Sequence, residues 1–278
     1  MISSRVRNRK TGLTLIELVV VLVVLIALAG LVLPRVGNMF SQANSATDAS
    51  IIADMNKAIS TFETRYGQAP NGWDGILTGP NGSFYPNLHP NLQTSQGTAT
   101  AGGPILTTTA LTDTQLASLN KAGITFLHYN NDSNNATGRP SDSGTAWAML
   151  ASGTSVASLF VPTTSTSPAW TAHGSTFPDR AFNINPFNAG ATDTFVVFGV
   201  GQPCSLRGAS IQDSPIVQGA TPTKYYARML AVYHIPGPTA SMSDPFAAQF
   251  VGTFCPDGTC INDNLAKYNS SDAPLGTN

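Results

Sequence analysis

The chain has 278 residues with 14 Lys and Arg against 15 Asp and Glu, a net charge of −1 at neutral pH. Charged residues make up only 10% and hydrophobic ones 42%, which excludes a disordered chain. No basic patch with interleaved aromatics survives beyond the first twelve positions, which excludes a duplex groove binder.

Those first positions carry Arg5, Arg7, Arg9 and Lys10 and no acid. From Leu13 to Leu33 the sequence is almost wholly apolar, with one carboxylate at Glu17. As a helix this run would span about 32 Å at about 1.5 Å per residue, against a hydrocarbon core of about 30 Å. An ionised side chain inside such a run costs roughly 2.5–3.5 kcal/mol, so Glu17 calls for a function. Basic residues precede the run and only Arg35 follows closely, so the leader is expected in the cytoplasm and the remainder beyond the inner membrane. Localisation is therefore expected as single-pass inner membrane with a periplasmic head. A rival pattern is Ala27-Leu28-Ala29 after the apolar stretch 18–26, a secretory signal cut after Ala29. It leaves Glu17 unexplained.

The helix is expected to continue to about Tyr66, with Gly30 and Pro34 weakening or kinking it. Its second half turns amphipathic, with Ile51, Ile52, Met55, Ala58, Ile59, Phe62 and Tyr66 at three- and four-residue steps. Gly67 and Pro70 stop it. A loop anchored by Trp73, Ile76, Leu77, Phe84 and Tyr85 follows. Thr112 and Gln115 form a capping box for a short helix ended by Gly123. Strands are expected at Ile124–Tyr129, Ala146–Ala151, Ser158–Val161, Thr194–Val200 and Tyr225–Ile235. The domains expected are a leader 1–12, an apolar helix 13–34, its amphipathic continuation 35–67 and a globular head 68–278.

Gly12, Leu13, Thr14, Leu15, Ile16, Glu17 and Leu18, then the apolar run and Pro34, resemble the N-terminus of the type IV pilin superfamily, the prepilins and the pseudopilins of type II secretion. The resemblance runs to about Pro70. It implies an α+β fold: a long N-terminal helix, transmembrane in its first half, packed on an antiparallel β-sheet head. It also implies cleavage between Gly12 and Leu13 by a prepilin peptidase and N-methylation of Leu13. Glu17 would pair with the Leu13 amine of a neighbouring subunit and set filament register. The implied partners are that peptidase, other pilin or pseudopilin subunits, an inner-membrane assembly platform and membrane lipid, ending in a periplasmic or cell-surface filament. The different-class alternative is a signal-anchored or secreted binding protein or enzyme whose head carries the function.

Chemistry elsewhere is sparse, and neither an enzyme nor a cofactor is expected. His89, His128, His173 and His234 fall in no H-E-x-x-H pattern, and His128 and His234 read as ordinary sheet residues. Gly208-Ala-Ser-Ile-Gln lacks the second glycine of a nucleophile elbow. Asp257, Asn262, Asp263 and Asn264 read as solvated loop residues rather than a calcium site, so no metal is expected. Cys255 and Cys260 frame a Pro-Asp-Gly turn and are read as a small disulfide loop; pairing of Cys204 with either, or three free thiols, are the alternatives.

Overall fold

The computed structural model describes residues 15–92, 106–130, 145–159, 194–215 and 225–258 without 239, 241 and 242, and side chains there except at 29–46, 91, 130, 145 and 146. Helix α1 runs Leu15–Tyr66, 52 residues. The chain divides into two compact units, Met1–Thr47 and Asp48–Asn278, so α1 contributes to both.

In the first unit every Leu, Ile and Val from Leu15 to Leu28 is exposed, from 47% at Val19 to 83% at Leu15. In the second unit α1 buries the expected stripe: Met55, Ile59 and Phe62 lie in a hydrophobic core, with Ile51 and Ile52 packed at its edge. Tyr66 departs from the stripe. It is 47% exposed, tilted against the Phe62 ring and lying under the Arg65 guanidinium at 5.4 Å. Gly67 ends the helix at φ 68°, its N–H returning to the Glu63 carbonyl at 2.8 Å.

The head is an eight-stranded sheet: β1 (Trp73–Asp74), β2 (Leu106–Ala110), β3 (Phe126–Asn130), β4 (Thr145–Met149), β5 (Ser155–Leu159), β6 (Thr194–Gly199), β7 (Leu230–Ile235) and β8 (Gln249–Phe254). Its main path is β2-β5-β6-β1-β3-β4, with β7 pairing β6 and β8. Alternation along β6 separates two cores. Val196 and Phe198 join the core that holds α1, while Phe195 and Val197 join a second with Ile76, Leu88 and Phe254. Burial on both faces explains why β6 and β7 read as continuous apolar runs.

Helix α2 (Asp113–Ala122) carries the expected capping box, and Gly123 closes it at φ 93°. Gln115 also does something the capping pattern does not foretell. Fully buried, its amide donates to Thr194 Oγ1 and to the Pro236 carbonyl, tying α2 to the end of the β6–β7 pair where Thr194 stands opposite Ile235.

Two expectations are corrected. The fold is a strand-rich mixed sheet, not a long helix on an antiparallel head: the two-residue β1 is inserted at its centre, parallel to β3 and antiparallel to β6. Only the part of α1 from Asp48 belongs to the head's compact unit. The transmembrane first half and the single-pass inner-membrane localisation also fail, because no helix among the described residues is long and apolar enough to cross a membrane.

Candidate functional site

Of the residues singled out at the N-terminus, Gly12 and Leu13 lie outside the described residues. Glu17 stands in the first turn of α1, where the helix dipole favours an acid, and is exposed among exposed apolar neighbours. Pro34 lies within α1, whose helical assignment continues through it, and its side chain is outside the description. Cys204 is a free, buried thiol. Cys255 is disulfide-bonded, and Cys260 lies outside the described residues. Asp257 is buried rather than solvated, while Asn262, Asp263, Asn264 and His173 are outside. Among the described residues no group of His, Cys, Asp and Glu could hold a metal ion.

The head's polar centre is one the sequence did not disclose. Asp74, at 2% exposure, is buried in the middle of the sheet. A buried carboxylate is tolerable only when its charge is balanced and its lone pairs are filled. Asp74 Oδ1 lies 2.9 Å from His128 Nδ1. Its Oδ2 accepts from the Tyr226 hydroxyl at 2.8 Å and from Arg228 Nη1 at 3.2 Å. The pairing of β1 with β3 sets Asp74 opposite His128, and the pairing with β6 sets it opposite Gly199.

Glycines make the room. A Cβ at Gly201 would lie 1.9 Å from Asp74 Oδ1, and one at Gly199 would lie 1.9 Å from the Tyr226 hydroxyl. Asn71 fixes the approach to β1: its Oδ1 accepts from the backbone N–H of Gly72, Thr125 and Phe126, and its Nδ2 donates to Thr125.

This environment suppresses nucleophiles rather than activating them. Burial, followed by the Asp74 charge, holds the Tyr226 phenol well above its ordinary pKa. Burial pushes the Cys204 thiol up to about 12, with Asp74 adding to it. A reactive thiol needs the opposite surroundings. No described histidine pairs with Cys204.

The remaining described histidines sit in aromatic packing. His234 stacks on Phe195 and tilts against Phe246, and His89 meets the Tyr225 ring edge-on. No protein-family model matches the chain, and no curated protein or solved structure matches it.

Proposed function

We propose that this chain is a pilin-like structural subunit, cleaved after Gly12, N-methylated at Leu13 and polymerised through its N-terminal helix into a type IV pilus or a type II secretion pseudopilus. The observation that supports the reading most is the α1 segment from Leu15 to Leu28, apolar and exposed on every side, with one carboxylate in its first turn. Monomeric proteins rarely leave an apolar surface of that extent uncovered. Helices of further copies packed around one another would bury it. Glu17 would then be desolvated and need a cation, and the amine of Leu13 on a neighbouring copy supplies one.

The reading rests on the N-terminal residues and makes no use of the mixed-sheet head. Its partners are a prepilin peptidase, other subunits of the same kind and an assembly platform. A second reading, a secreted binding protein or enzyme, is kept by the Ala27-Leu28-Ala29 triplet. Mass spectrometry of the mature N-terminus separates the two. N-methylated Leu13 supports the subunit; a chain starting at Gly30 supports the secreted protein.

A further inference from the structure

Asn-Gly occurs twice in this chain, at Asn71-Gly72 and Asn81-Gly82. The dipeptide carries its own chemistry. Glycine has no Cβ to shield its backbone nitrogen, which can attack the preceding asparagine Cγ. The N–Cγ bond forms, the Cγ–Nδ2 bond breaks, and the backbone nitrogen's proton leaves with the departing ammonia. Water then opens the cyclic imide at either carbonyl, leaving aspartate or isoaspartate. Water is the sole co-reactant, and the rate depends on whether Cγ and the nitrogen can reach attack geometry.

The fold closes this route at Asn71. Its Oδ1 accepts from the N–H groups of Gly72, Thr125 and Phe126 at 2.9, 3.2 and 3.4 Å, and its Nδ2 donates to Thr125 Oγ1 at 2.8 Å. Its backbone is clamped as well: the Asn71 N–H donates to Ser205 Oγ and the Ser205 N–H returns to the Asn71 carbonyl, both at 2.9 Å. The Gly72 N–H aims its hydrogen at Oδ1, so the nitrogen presents no electron pair to Cγ. Gly72 itself is buried.

Asn81 is placed differently. Leu77 and Phe84 are bridged antiparallel, and between them the Gly82 N–H donates to the Gly79 carbonyl at 3.0 Å, closing the turn Gly79-Pro80-Asn81-Gly82. Asn81 is exposed in that turn. The turn also requires its glycine: a Cβ at Gly82 would lie 2.3 Å from Thr78 Oγ1 and 2.7 Å from the Gly79 nitrogen. A hydrogen bond closing a surface turn opens locally far more often than the head unfolds, and its opening frees the Gly82 nitrogen beside a side chain already in water. We infer that Asn81 is a self-modification site of the head, converted without an enzyme to aspartate or isoaspartate, while Asn71 is protected. Conversion adds one negative charge to the turn, and the site is independent of the N-terminal helix.

The test is timed incubation of the folded full chain in detergent at pH 8, followed by peptide mapping with site-resolved mass spectrometry that separates aspartate from isoaspartate. A parallel sample is held in denaturant. In the folded chain position 81 should convert at least about tenfold faster than position 71, giving both products. In denaturant the two positions should convert at comparable rates. Asn81→Gln, whose longer side chain disfavours the five-membered imide, should lose the signal at position 81 and leave position 71 unchanged. Conversion of position 71 in the folded chain as fast as position 81 overturns the inference. So does an unconverted Asn81 in the folded chain over a period in which the denatured chain converts.

Discussion

Tyr226 and Asp74, 152 positions apart in the chain, meet in a 2.8 Å hydrogen bond in which the phenol donates to the carboxylate. The bond joins the shortest strand of the sheet to the segment that enters β7. Arg228 reaches the same oxygen, and His128 holds the other. One buried charge thus connects β1, β3 and the approach to β7.

Removing that charge should be costly. Asp74→Ala would leave Arg228 without its counter-charge and Tyr226 and His128 without their acceptor, a loss of roughly 3–5 kcal/mol. Chemical denaturation of wild type and variant measures it. A loss under about 1 kcal/mol would mean that the cluster does not stabilise the head.

The glycine positions make a sharper test of the same geometry. Gly201→Ala would drive a methyl group against the Asp74 carboxylate and should destabilise by roughly 1–3 kcal/mol, the usual range for overpacking. In combination with Asp74→Ala the two effects should fall short of additive, because the clashing partner is gone. Additive losses in denaturation would place the strain elsewhere.

How much of this the sequence disclosed follows from range. Thr112, Gln115 and Gly123 lie within a dozen residues, so the ends of α2 were legible, and β6 and β7 were legible from their bulk. The two-residue β1 carries no periodicity at all. Trp73 looks like a loop anchor until β3 and β6 flank it, Asp74 carries no signal of its own, and pairings at sequence distances of 54 and 152 leave no local trace. The partners of Asp74 were visible only as scattered residues. β2 and β8 were missed because Leu-Thr-Thr-Thr-Ala and Gln-Phe-Val-Gly-Thr-Phe owe their burial to neighbouring strands rather than to their own pattern. At the N-terminus the apolar run suggested a membrane span, and no helix among the described residues is long and apolar enough to provide one.

Glu63 predicts a pH dependence. Burial at the contact between α1 and the sheet raises its pKa, partly offset by the hydrogen bond from Tyr233. A carboxyl group whose folded pKa is raised binds its proton more tightly in the folded than in the unfolded state. Its contribution is therefore most favourable below the unfolded value near 4.5 and declines as pH rises through the folded one. Glu63→Gln should remove that decline. Thermal melts of both proteins from pH 4 to pH 8 should show a smaller fall for the variant; parallel curves would contradict the assignment.

Cys204 should be chemically silent. With its thiol pushed up to about 12 and its side chain buried, alkylation by iodoacetamide at pH 8 should proceed only after unfolding. Intact-mass spectrometry before and after denaturant reads the difference. Rapid labelling of Cys204 in the folded protein would contradict the burial.

The proposed role of the N-terminal helix is tested most directly by Glu17→Ala. The substitution removes the only acid in the exposed apolar stretch while the head, which begins at Asp48, should fold unchanged. Cutting at Gly12 should continue, since the junction itself is intact. Assembly should fail, because the buried Leu13 amine of each copy would lack its partner at a cost of roughly 3–5 kcal/mol. The measurement is the amount of filament in the sheared fraction of cells expressing the variant, beside the mass of its mature N-terminus. The account predicts processed subunit that begins at N-methylated Leu13 and forms no filament; filaments at wild-type abundance from Glu17→Ala would contradict it.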